Sequence, residues 1–228
     1  MDEENRVLVV AAHPDDEVLG CGGTIHSLAK IGFDVHVLIL ADGESSRTET
    51  STRQLMDERN AAAKSANKII GTKSLEILEL PDNRLDELPL LSIVKKIEDR
   101  ILNIQPKTIF THYAGDVNVD HKIVREATVA ACRPYPDQSV KELLFFETAS
   151  STEWQPTNSA FSPNYFFDIS DVLSVKMEAL RAYETEMRDF PHPRSYLGVE
   201  AQARWRGASA GVMAAEAFHV GRIIRKVG

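Results

Sequence analysis

Residues 6–17 read RVLVVAAHPDDE, and the fold follows from the change of character in the middle of that stretch. Arg6 to Ala12 is a continuous apolar run, the pattern of a strand buried on both faces of a parallel sheet. His13-Pro14 ends it, because a proline cannot donate to the ladder. Asp15, Asp16 and Glu17 follow, and then the glycine-rich run Gly20 to Gly23. Beyond it an amphipathic stretch with Leu28 and Ile31 on one face reads as a helix that Gly32 closes. Asp34 to Leu40 (DVHVLIL) is a second strand. Strand, loop, helix, strand is a βαβ unit, whose crossover is expected to be right-handed.

The alternation continues outward from that unit. Thr52 to Ile70 reads as a long helix stopped at Gly71. Leu75 to Leu80 is a short strand before a Pro-Asp-Asn turn, Leu91 to Ile104 has helical spacing, and Lys107 to Thr111 is a strand. His121 to Cys132 is helical and Leu143 to Glu147 strand-like. The pattern predicts an α/β fold, an open sheet of doubly wound type. After Ser150 the pattern loosens: Trp154 to Pro163 reads as a loop and Tyr165 to Ile169 as a late strand. Ser170 reads as the N-cap of a helix running to about Tyr183. Phe190 to Ser195, with two prolines, is a loop. No repeat or low-complexity linker divides residues 1–228, so one domain is expected.

Composition narrows the function classes. The 228 residues are 43% hydrophobic and 26% charged, a globular profile long enough to bury its own core. A formal net charge of -8 argues against a nucleic-acid partner, which calls for a basic stripe. Two cysteines, Cys21 and Cys132, make no disulfide framework and fit a reducing compartment. The acidic start, Met1 to Asn5, lacks the charge and length of a signal peptide, and the apolar runs are too short to span a bilayer. A cytoplasmic location without a membrane span is the expectation.

In an open α/β sheet, ligands bind beyond the carboxyl ends of the strands. The loops after three strands therefore carry the candidate chemistry: His13, Asp15, Asp16 and Glu17; then Asp42, Gly43 and Glu44; then Ala114 to Asp120 with His121. Imidazole nitrogen and carboxylate oxygen are zinc ligands, and a catalytic zinc keeps three protein ligands. A His and an Asp three residues apart on one tight loop can converge on one ion, with a second His from another loop. His13, Asp16 and His121 meet that requirement and leave Asp15 free to take a proton from the attacking water. The competing structural reading is that acids after a strand cap the helix that follows.

The run Ala12-His13-Pro14-Asp15-Asp16-Glu17, followed by Gly20-Cys21-Gly22-Gly23-Thr24, closely resembles the signature of the PIG-L/LmbE-like deacetylases. Gly115 to His121 resembles that family's second metal motif, and the resemblance extends over Arg53 to Ala63 and most of the chain. It implies a Rossmann-like fold and hydrolysis of N-acetyl groups on amino sugars or sugar conjugates, generally with zinc, another divalent transition metal being an alternative. It assigns His13, Asp16 and His121 as metal ligands and Asp15 as general base. The sequence departs from the pattern at Asn118, where many relatives carry a histidine. Asparagine can donate to an oxyanion but cannot deliver a proton. The general acid is then Asp15 returning its proton, or another histidine.

His192, in the Pro-rich and Arg-containing loop, is the leading candidate for an auxiliary acid or oxyanion stabiliser, against the alternative of a surface histidine. His36 reads as structural, as do His26 and His219 on stretches taken as helical. His112 either lines the pocket or packs behind it. Asp120 either orients an imidazole or caps the next helix. Arg53, Arg194 and Asp42 could hold sugar hydroxyls or a phosphate, or be solvated charges; Cys21 reads as a packing residue. The expected partner is a small N-acetylated sugar or conjugate, and a homo-oligomer is compatible with the sequence. Rival readings are an amidase acting on a non-sugar amide, a nucleotide-binding module without catalysis, and a silent metal protein. The second is weakened because Gly20 to Gly23 lack GxGxxG order and follow an acidic loop.

Overall fold

The computed structural model describes residues 5–43, 53–155 and 160–225. Seven strands form one sheet: β1 (Arg6–Ala11), β2 (Asp34–Ala41), β3 (Ser74–Leu80), β4 (Thr108–His112), β5 (Glu142–Phe146), β6 (Tyr165–Asp168) and β7 (Ala215–Ile223). Their order is β3-β2-β1-β4-β5-β7-β6. The strands β1 to β5 pair in parallel, whereas β7 runs antiparallel to both β5 and β6. The helices are α1 (Asp16–Lys30), α2 (Arg53–Ile70), α3 (Leu90–Ile104), α4 (Val119–Ala131), α5 (Leu173–Ala182) and α6 (Tyr196–Ala210).

Strand periodicity divides the core into two layers. Val7, Val9 and Ala11 of β1 face a cluster built with α1, α2 and α5. Leu8, Val10 and Ala12 face the opposite cluster, built with α3 and α4. In α3, Ile93, Val94, Ile97 and Ile101 are buried, a one-sided helical stripe. The doubly wound reading holds. The chain leaves β1 toward β2 on one side and reaches β4 on the other, so the crevice above β1 and β4 is the topological switch point.

Four expectations are corrected. The helix α1 begins at Asp16, ahead of the glycine run, and breaks its helical geometry at Cys21 (φ -151°). The glycines serve close packing: a Cβ on Gly20 would stand 2.3 Å from the Phe146 ring. Ile31 is exposed at the helix end, while Leu28 packs on the core. Ser170 does not cap α5, which starts at Leu173; its hydroxyl donates to Asp168 instead. Finally, His219 lies on β7, an antiparallel strand, and α6 precedes it. The expected starting residue Thr52 and the loop residue Glu44 fall outside the described residues.

Candidate active site

The loop after β1 makes a tight turn at the switch point. The side chain of Asp16 folds back so that its Oδ2 accepts the backbone N–H of His13 at 2.8 Å. The same oxygen lies 3.3 Å from His13 Nδ1 and 3.3 Å from His121 Nε2. His121 comes from the first turn of α4, on the far side of the switch point. All three residues are buried, and their ligand atoms lie within 4.8 Å of one another. The structure thus brings together the three residues that the spacing singled out.

Each imidazole is fixed from behind by carboxylates. His13 Nε2 meets Asp120 Oδ2 at 3.0 Å and Asp82 Oδ1 at 3.1 Å. His121 Nδ1 meets Asp116 Oδ2 at 3.1 Å and the Ser151 hydroxyl at 3.1 Å. Outer carboxylates of this kind orient a ligating histidine and raise its basicity. Asp120 therefore orients an imidazole, and it also accepts the N–H groups of Asn83 and Leu85. It is not the helix cap. That role falls to Asn118, whose Oδ1 accepts from Asp120 N and His121 N.

Burial opposes charge on both histidines, but the surrounding carboxylates outweigh it. His13 is held well above the usual imidazole range by Asp120, Asp16 and Asp82, and His121 is raised to about 9, chiefly by Asp16 and Asp116. Burial likewise opposes ionisation of Asp16, yet His121 and His112 hold its carboxyl well below the ordinary range. The cluster demands positive charge. Two nitrogens and one oxygen, converging in a buried place that favours a cation, fit a zinc-type ion.

Asp15 immediately precedes α1 with φ +113°, a conformation that costs a non-glycine residue about 1–3 kcal/mol. Glu17 supports it: Oε2 accepts Asp15 N at 3.1 Å, while Oε1 accepts Tyr183 O–H at 2.6 Å and Asn67 Nδ2 at 2.8 Å. Burial pushes the Glu17 carboxyl to about 7. Asp15 itself is raised to about 6, first by burial and then by the charge of Asp16, against the pull of Arg194. Arg194 Nη1 holds Asp15 Oδ2 at 2.9 Å.

A cavity of about 110 Å³ opens here, lined by His13, Asp15, Asp16, Asp82, Asn118, His121 and neighbours that include Arg59, Arg194 and residues 148–151. Asn118 presents Nδ2, which donates to Asn83 Oδ1 at 3.1 Å. His192 is not part of the lining; its Nδ1 accepts the Arg194 N–H, and its neighbour Arg194 enters instead. His112 packs behind the site, stacked on His121 with centroids 4.0 Å apart. Its Nε2 accepts Ala12 N, which leaves it no lone pair for a metal. Arg53 is exposed and paired with Asp57 and Glu79, away from the cavity. Asp42 is buried but does not line it. Cys21 is buried, its thiol donating to Glu17 O.

Sequence reasoning missed Asp82 and Arg59. Asp82 follows β3, a parallel strand ending on the same edge as β1, so the carboxyl-end rule applied one strand further would have found it. Arg59 sits inside a helix, buried, and donates to Gly43 O, Pro14 O and Glu186. No local pattern marks that role.

Comparison with known proteins identifies relatives of the sequence and of the fold. Diacetylchitobiose deacetylase of Thermococcus kodakarensis is 29% identical over 192 residues, covering 81% of this chain and 71% of the relative. The structure of N,N'-diacetylchitobiose deacetylase from Pyrococcus horikoshii superposes with a TM-score of 0.78 at 21% identity, over 96% of this chain and 84% of that one. GalB, the 4-carboxy-2-hydroxymuconate hydratase of Pseudomonas putida KT2440, shares the fold with a TM-score of 0.78 at 22% identity, over 98% and 100%. The family described as PIG-L: GlcNAc-PI de-N-acetylase matches residues 8–132, which include every candidate metal-ligating residue and Asp15, and the chain belongs to that family.

Proposed function

We propose that the chain is a zinc-dependent N-deacetylase that releases acetate from an amino sugar or sugar conjugate, working in the cytoplasm. The observation that carries this reading is the convergence of His13, Asp16 and His121 beside a separate buried carboxylate, Asp15, in one polar cavity. The deacetylases among the relatives support it. Among the described residues no helix is long and apolar enough to cross a membrane, and both cysteines are free.

His13 Nδ1, Asp16 and His121 Nε2 would hold the ion. When bound, it supplies Lewis-acid activation of water and of the acyl oxygen. The chain's own groups do the rest. Asp15, fixed by Arg194 and by its backbone bond to Glu17, takes a proton from the attacking water and returns it to the leaving amine. A carboxyl raised to about 6 is ionised at neutral pH yet holds a proton better than an ordinary aspartate. Asn118 supplies the oxyanion donor: its oxygen is tied to two backbone N–H groups and one Nδ2 hydrogen to Asn83 Oδ1, which leaves the second Nδ2 hydrogen for substrate. The auxiliary role first considered for His192 passes to Asn118 and Arg194.

The test is acetate release by zinc-loaded protein from N-acetylglucosamine, N,N'-diacetylchitobiose and a sugar nucleotide, with the free amine measured in parallel. Equal amounts of acetate and amine are expected, with a loss of about 10²–10⁴-fold in kcat for Asp15→Asn. Metal-loaded protein that releases acetate from none of them would refute the reading. Water addition to an unsaturated acid, the chemistry named for the hydratase of this fold, would then be assayed next.

A further inference from the structure

Trp154 has 51% of its surface exposed and lies three residues beyond Ser151, which lines the cavity. Its ring meets His192 edge to face, with centroids 5.8 Å apart and an interplanar angle of 88°. Each ring belongs to a segment that also walls the cavity: Ser150 and Ser151 precede Trp154, and Arg194 follows His192. Both segments are pinned. The Glu153 carboxylate accepts the N–H groups of Ser150 and Ser151, and Gln155 Nε2 donates to Asp116 O. On the other side His192 Nδ1 accepts Arg194 N, and Ser195 N donates to His192 O.

The cavity itself gives a pyranose little apolar surface to rest on. None of its lining residues among those described is a phenylalanine, tyrosine or tryptophan, and its volume of about 110 Å³ falls below the roughly 300 Å³ at which pockets begin to enclose a whole small ligand. It suits the acetamido end and the adjoining ring atoms, so the remainder of a larger substrate must lie across the rim. Among the described residues, Trp154 is a large apolar plane that belongs to one cavity-forming segment and packs on His192 of the other. A tryptophan half in water on a fixed turn offers a large rigid contact area at little entropic cost.

We propose that Trp154, backed by His192, is a stacking platform for the apolar face of a second sugar ring, so that the preferred substrate is an N-acetylated disaccharide or longer chain rather than a monosaccharide. The proposal rests on the deacetylase reading for its turnover consequence, but not for binding. Trp154 and Trp205 are the two tryptophans of the sequence, which gives a direct probe. A zinc-loaded Asp15→Asn, Trp205→Phe protein reports Trp154 emission without turnover. Titrated with N,N'-diacetylchitobiose, its emission is expected to change and saturate at a concentration at least fivefold lower than with N-acetylglucosamine.

In the protein with Asp15 intact, Trp154→Ala is expected to lower the disaccharide-to-monosaccharide ratio of kcat/KM by 5–20-fold, mainly through KM, and Trp154→Phe to restore part of it. An equal emission response to the two sugars, or an unchanged ratio in Trp154→Ala, overturns the proposal. So does a change of sedimentation in Trp154→Ala, which would assign the ring to a contact with a second copy. If neither sugar yields acetate, the deacetylase reading fails on that result, and the emission titration still decides the subsite.

Discussion

Replacing Asp120 by alanine removes a residue that need not touch metal or substrate, and its effects can be worked out bond by bond. Its carboxylate is fully buried and accepts three hydrogen bonds: Asn83 N at 2.7 Å, Leu85 N at 3.0 Å and His13 Nε2 at 3.0 Å. Asn83 is exposed and can recover a bond from water, whereas Leu85 N lies in a buried residue and cannot. His13 keeps Asp82 at 3.1 Å as a remaining partner. One stranded buried donor and two weakened ones, at about 1–3 kcal/mol for a donor left unsatisfied, give a destabilisation of about 2–4 kcal/mol. For a chain of this length that is roughly 5–15 °C in Tm.

The functional consequence is separate. With one of its two orienting carboxylates gone, His13 is expected to lose about 10–100-fold in zinc affinity. Chelator competition measures the affinity and calorimetry the Tm. Asp120→Asn sharpens the result, because it keeps an acceptor for one backbone donor but turns an N–H group toward another donor. It should fall between wild type and Asp120→Ala on both scales. Zinc affinity within threefold of wild type in Asp120→Ala would refute the claim that this carboxylate orients the imidazole.

Three further outcomes follow from the same contacts. Asn118→Asp keeps an oxygen to cap α4 but removes the amide donor, so stability should hold within about 1 kcal/mol while kcat falls at least tenfold; equal kcat would remove Asn118 from the chemistry. Glu216 accepts Gly23 N, Thr24 N, the Thr24 hydroxyl and Lys176 Nζ beneath the break in α1, so Glu216→Ala should cost about 3–5 kcal/mol in denaturant unfolding; a loss under 1 kcal/mol would contradict the buried pairing. Burial pushes the Cys132 thiol up to about 12 and Cys21 well above its ordinary range, so a thiol reagent at neutral pH should label neither in the native protein and both after denaturation; rapid native labelling would contradict the packing.

Much of this was legible locally. The apolar run of β1 and its abrupt end at His13-Pro14 place the first ligands at a strand's carboxyl end, and strand order then brings His121 opposite them. Those signals depend on neighbours a few residues apart. The C-terminal third was poorly legible because α6 has no clear apolar stripe: Leu197 and Trp205 are exposed while Val199, Ala203 and Gly207 are buried. The strand β7 went unread although its buried half is apolar, since Glu216 interrupts it with a carboxylate whose partners lie about 190 residues away in α1. Arg194 and Tyr183 reach Asp15 and Glu17 only through tertiary packing, which a local pattern does not encode.

The most direct test of the account is zinc titration of metal-stripped protein with acetate release from N,N'-diacetylchitobiose as the readout. No release is expected from the stripped protein, with a rise that reaches its maximum at about one equivalent of zinc, as a single three-ligand catalytic site requires. His121→Ala is expected not to respond at that equivalence. Release that is independent of added metal, or a full response from His121→Ala, would contradict it.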